Sequence, residues 1–128
     1  MPDSLSPRAS AYLKSVAEWF AKAQIKAVNA NMSRCIDNGR FEALKPFLRE
    51  ANLEKRGFTL WRVTGNILIE KEEGLDNLFF PLGISETGIT VGDKTLMPYD
   101  FLRLTMEQPL SGKLDFLLVV IPEKEMET

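Results

Sequence analysis

Residue types that carry chemistry are few in this chain and poorly spaced for it. Histidine is absent and Cys35 is the one cysteine. That excludes Ser-His-Asp and Cys-His nucleophile pairs, HExxH zinc sites, cysteine clusters and any internal disulfide. Glu70, Glu72 and Glu73 form the densest group of carboxylates. Two of them on one side of a strand end have the oxygen chemistry to hold Mg²⁺; the simpler reading is a solvated strand end running into a turn at Gly74. Acid–base catalysis by paired carboxylates needs a pocket that perturbs one of them, and nothing in the sequence brings Asp93, Asp100 or Asp115 into such a pocket. Two stretches approach the phosphate-binding pattern GxxxxGK[ST]. Gly83 and Gly88 have the spacing but are followed by Ile89-Thr90, without the lysine. In Gly92-Asp93-Lys94-Thr95 an aspartate separates glycine from lysine, and the upstream Gly88 is one residue too close. Both lie among strand-like runs, not at a strand-to-helix turn. The expectation is a protein that is not an enzyme, with no metal and no cofactor.

The chain has 128 residues, 45% hydrophobic and 27% charged, the balance of one globular domain spanning residues 1–128. A core of this size supports folding without disulfides or metal. The formal net charge of -2 excludes a globally basic nucleic-acid binder. Phe116–Ile121 is the longest apolar run, far short of the roughly 20 residues of a membrane span. The first residues lack the charged and apolar blocks of a signal peptide. The expected location is cytoplasmic, without membrane association. Charge divides along the chain: residues 1–57 carry 10 Lys or Arg against 6 Asp or Glu, and residues 58–128 carry 6 against 12.

The elements that must position these residues change character near Gly57. Ser6 as N-cap and Pro7 at the first helical position open a helix. Leu13, Val16, Ala17, Phe20, Ala27, Val28, Met32, Cys35 and Ile36 follow one helical face, and Gly39 is placed to close it. The pattern predicts one long helix over about residues 7–37, with Cys35 packed in the core. A second, shorter helix is expected within 41–56, starting near Pro46 and ended by Gly57, so that 7–56 form the helical part.

Residues 58–121 read as a sheet. Phe58–Val63 and Ile67–Lys71 flank Thr64-Gly65-Asn66 as a hairpin would. Asn77–Ile84 is a strand, with Pro81 marking an edge or bulge. Gly92-Asp93 makes a tight turn, and Leu114–Ile121, apolar on both faces, suits a central strand. Tyr99–Glu107 fits helix slightly better than strand. Residues 123–128 read as a frayed tail. The fold class is α+β: two N-terminal helices, one long, packed on an antiparallel sheet of about five to six strands.

Two surfaces stand out. On the long helix Tyr12, Trp19 and Ala23 widen the apolar stripe on one side, and Ile25, Met32 and Ile36 on the other. The arc becomes about twice the ~100° of an ordinary surface helix, more than one sheet covers. Tyr12, Trp19, Ala23 and Ile25 are then candidate contacts for a partner protein or a second copy, and a homodimer is the simplest assembly. The second surface is basic: Arg34, Arg40, Lys45, Arg49, Lys55 and Arg56 surround the helices and suit phosphate contacts. Against a helix-turn-helix, Lys45-Pro46-Phe47-Leu48 is too apolar to read bases, and Glu42, Glu50 and Glu54 interrupt the charge. The sequence therefore favours a non-catalytic interaction or adaptor protein acting through its N-terminal helix. Its alternatives are a nucleic-acid-contacting regulator and a binder of a small hydrophobic ligand between helices and sheet, lined by Phe20, Phe58, Trp61, Phe80 and Phe116.

Overall fold

The computed structural model describes residues 3–83, 89–96 and 100–123. After a two-residue strand β1 (Asp3–Ser4), helix α1 spans Pro7–Phe20. Its start is as the sequence predicts: Ser6 Oγ accepts the N–H of Ala9 at 3.1 Å, with Pro7 at the first helical position. Its end corrects the long helix. A tight final turn joins Lys22 N–H to the Trp19 carbonyl and Ala23 N–H to that of Phe20. The chain then forms an antiparallel hairpin, β2 (Ile25–Asn29) and β3 (Met32–Cys35). Asn29 makes the turn. Its Oδ1 accepts the N–H groups of Asn31 and Met32, a local closure that competes with helix. Cys35 is buried as expected, but on a strand, and burial pushes its thiol pKa up.

Helix α2 (Arg40–Glu50) therefore follows a hairpin, so the two helices are not one N-terminal block. It begins before Pro46 and runs through it. Pro46 is exposed, so the carbonyl that loses its N–H partner is left on the solvent side of the helix. The helix ends well before Gly57. Asn52 takes a left-handed conformation (φ 59°), Leu53 N–H bonds the Leu48 carbonyl and Asn52 N–H that of Arg49, the bonding of a Schellman cap with asparagine in the glycine position.

The remaining strands are β4 (Phe58–Val63), β5 (Ile67–Ile69), β6 (Leu75–Gly83), β7 (Thr90–Val91), β8 (Lys94–Thr95), β9 (Asp100–Leu104), β10 (Gln108–Ser111) and β11 (Leu114–Pro122). They build two antiparallel sheets instead of the one expected. The large sheet has the order β1-β9-β6-β11-β4-β3-β2, the small one β5-β10-β7-β8. β11 is central, as its apolar run predicts, between β4 and β6. Pro81 lies beside a register shift at Asp115/Phe116 and past Phe79, where pairing to β9 stops. β7 and β8 turn on Gly92-Asp93, with Gly92 at φ 61°.

Two further expectations are corrected. β4 and β5 are not a hairpin: β4 pairs with β3 and β11, β5 with β10, so Thr64–Asn66 is a corner between sheets. Residues 100–104 are strand, because Phe101 packs toward the helices while Leu102 and Leu104 pack toward the small sheet. Residues 84–88 of the first glycine-rich stretch, Met97–Tyr99 and the tail 124–128 lie outside the described residues.

The large sheet is the middle layer. On one face Leu60, Leu78, Phe80, Leu117, Val119 and Ile121 meet Leu13, Val16, Phe20, Leu44 and Phe47 of the helices. On the other, Val63, Phe79, Leu102, Leu114 and Phe116 meet Ile69, Ile89, Val91 and Leu110 of the small sheet and its connections. The small sheet is too narrow to cover that second face. Among the described residues no helix is long and apolar enough to cross a membrane.

Candidate functional site

The uncovered part of the second face is an open trough of about 770 Å³. Strand alternation builds its floor: Met32 from β3, Thr59 and Trp61 from β4, Leu118 and Val120 from β11, and Asn77 from β6. β5 and the following Glu70 and Glu72 form one wall. The tip of the β2–β3 hairpin closes one end, with Val28 exposed beside it.

Side-chain amides hold this shape. Asn31 Nδ2 donates to the Asn66 carbonyl at 3.1 Å, and Thr64 N–H donates to the Asn31 carbonyl at 2.8 Å, tying the hairpin tip to the corner. The approach is so close that a Cβ on Gly65 would lie 2.9 Å from Asn31 Oδ1. At the other end Asn77 Nδ2 donates to the Glu70 carbonyl at 2.9 Å, fixing the wall to the floor. Trp61 Nε1 donates to Thr59 Oγ1 at 2.8 Å, which orients the indole, and the Arg34 guanidinium lies 5.9 Å from the ring centroid. Trp61 is half-buried, leaving part of its surface to the trough.

Lys71 pairs with Glu123, whereas Glu70 and Glu72 have no ion-pair partner among the described residues. The lining is otherwise amide and apolar, with the hydroxyl of Thr59. Among the described residues no three His, Cys, Asp or Glu side chains come together as a metal-binding group.

The residues singled out as partner contacts lie on the opposite side of the sheet. Tyr12 and Trp19 are on α1, Ala23 is in the turn after it and Ile25 is on β2. All four are half-buried against the helix-side core. The double-width helical stripe is not present, because its second half belongs to the hairpin. Trp19 packs near the turn before α2, where a Cβ on Gly39 would be 3.5 Å from the indole Cζ2. Tyr12 borders a shallow depression with Glu42, Lys45, Pro46, Arg49 and Glu50 of α2.

The basic residues are divided. Lys45 and Arg49 are on the exposed side of α2, and Lys55 and Arg56 follow it. Arg40 stacks on Phe41 and donates to the Asp37 carbonyl. Arg34 is across the sheet, over Trp61. The aromatic set proposed to line a ligand cavity is divided too: Phe20 and Phe80 are buried in the helix-side core, while Phe116 and Trp61 belong to the second face.

The sequence singles out Trp61, as the lining of a pocket between helices and sheet, but does not single out Leu68, Leu118, Val120, Asn31 or Asn77. The one sequence signal for the trough is the alternation of Thr59 and Trp61 against Leu60 and Arg62. No protein-family model, no curated protein and no solved structure matches the chain.

Proposed function

We propose that this protein is a non-catalytic adaptor that holds a segment of a partner polypeptide in the trough on the open face of its large sheet. The observation that carries this reading is the half-covered face. A sheet face lined by Trp61, Met32, Leu118 and Val120 stays accessible while the rest of it is buried under the small sheet. An accessible apolar concavity with a few fixed amides around it is the usual form of a recognition site. Its carboxylates, Glu70 and Glu72, are exposed, which suits contact more than proton transfer. The trough replaces the N-terminal helix as the contact surface.

The test is selection of a displayed random-peptide library on the native protein, followed by NMR mapping of one synthesised binder. Binders that shift the Trp61 indole N–H and the Leu118 and Val120 methyls support the reading, as does their loss in Val120→Lys. A selection that yields no binder, or binders that shift only α1 and α2, overturns it. Sedimentation of the free protein over a concentration series reports the other outcome, self-association through the same face.

A further inference from the structure

Resting on that reading, we infer that the occupant is an extended, basic segment that adds a strand to the free edge of β5 at Leu68. The register of the small sheet sets the geometry. Pro109 stands opposite Leu68, and its carbonyl accepts the N–H of Gly92 on the side facing β7. In an antiparallel ladder both backbone groups of a residue point the same way. Pro109 therefore makes no bond to β5, and the N–H and C=O of Leu68 point away from β10, toward the trough. The neighbouring outward carbonyls are taken: Asn66 by the Asn31 side chain and Glu70 by that of Asn77. Leu68 thus keeps both its donor and its acceptor, between two amide clamps and beside the apolar floor.

A strand bonded there would lie about 4.8 Å from β5. Its alternate side chains would point down onto Trp61 and Leu118. The other free edge near the trough, β2, is less suited to pairing, because Lys26 lies on it and its register shifts between Ala27 and Asn29.

Charge selects the occupant. Glu70 and Glu72 are the charged residues of the lining, with no Lys or Arg in it. Lys71, between them, is engaged by Glu123. Arg34, 5.9 Å from the Trp61 ring centroid, is not one of the lining residues. A Lys or Arg of the occupant complements the Glu70 end, with an apolar or aromatic residue over the floor.

The probe is a displayed library of random hexapeptides, selected on the full-length protein. The expected winners carry Lys or Arg within three positions of an apolar or aromatic residue. Leu68→Pro removes the edge donor without touching a β10 bond and is expected to weaken a synthesised winner at least 10-fold. Methylating the peptide's own backbone nitrogens one at a time tests the same pairing without altering the protein, and a single position should block binding. Glu70→Lys with Glu72→Lys is expected to weaken the basic peptide by a similar factor and to favour its Lys-to-Glu counterpart. Peptides that map to the trough but tolerate every N-methylation, or that are enriched in acidic residues, overturn this inference and leave the adaptor reading standing. A library that yields nothing overturns both.

Discussion

Arg62 caps the first helix through Phe20: its Nη2 donates to the Phe20 carbonyl at 3.1 Å, and its guanidinium carbon lies 4.9 Å from the centroid of the Phe20 ring. The same guanidinium makes a two-point contact with Asp115, Nε to Oδ1 at 2.9 Å and Nη2 to Oδ2 at 3.2 Å. A cation from the sheet thus meets the carbonyl end of α1, where the helix dipole is negative. Arg62→Ala is expected to cost about 2 kcal/mol, from a charged hydrogen bond and a ring contact. Arg62→Lys should recover only part of that, since an ammonium lacks the planar fork that reaches both partners. Urea unfolding of the two variants checks the order.

Asp76 is buried and is held by Arg103, Nε to Oδ2 at 2.9 Å, while Arg103 Nη2 also donates to the Glu123 carbonyl at 2.8 Å. Arg103→Ala leaves a carboxylate in the core without its cation, and a loss of about 3 kcal/mol is expected. Replacing both residues by leucine should restore much of the stability. Denaturation midpoints of the single and double variants decide this, and a double variant no better than the single one would contradict it.

Asn52 sits at φ 59° at the end of α2. An L residue without a polar side chain is strained there by about 1 kcal/mol. Asn52→Ala should therefore destabilise by about that amount, whereas Asn52→Gly should be neutral or slightly stabilising. Thermal unfolding distinguishes the pair.

Asp37 accepts the N–H groups of Gln24 at 3.0 Å and Gly39 at 2.9 Å, and these bonds hold its carboxyl below the usual value of 3.8. A depressed native pKa contributes stability above the unfolded value and loses it as pH falls through the native one. Asp37→Ala should unfold at lower urea concentration than the native protein near neutral pH. The gap should stay constant down to about pH 5 and close at acid pH below the native value. Urea titrations at several pH values measure the gap.

How much of this was legible varies with the range of the interaction. The start of α1 was readable because Ser6 and Pro7 act within one turn. β11 was readable as a central strand because seven of its nine residues are hydrophobic and they fall on both of its faces. The long helix was misread because Ala27, Val28, Met32 and Ile36 fall at helical spacing while the decisive signal is local: Asn29 closing a turn onto Asn31 and Met32. Val28 and Ile36 are exposed in the fold, so their apolar character was no evidence of a buried stripe.

The Thr64–Asn66 corner looks like a hairpin turn, and only the competing partners β10 and β11 separate the two strands. The trough was beyond reach for the same reason. Its floor joins residues 32, 59, 61, 118 and 120, and the open edge at Leu68 depends on a proline more than forty residues away.

Thr59 and Trp61 in the floor are separated from Ile67–Glu70 in the wall by little more than the Thr64–Asn66 corner. Part of the floor and part of the wall thus come from one uninterrupted dozen of the chain. Exchanging Thr59, Trp61, Leu68 and Glu70 together would alter the groove bottom and its rim, while Leu60 and Arg62, which face the helical layer, stay in place. The groove-shaping positions of these two segments can then be exchanged as a single cassette.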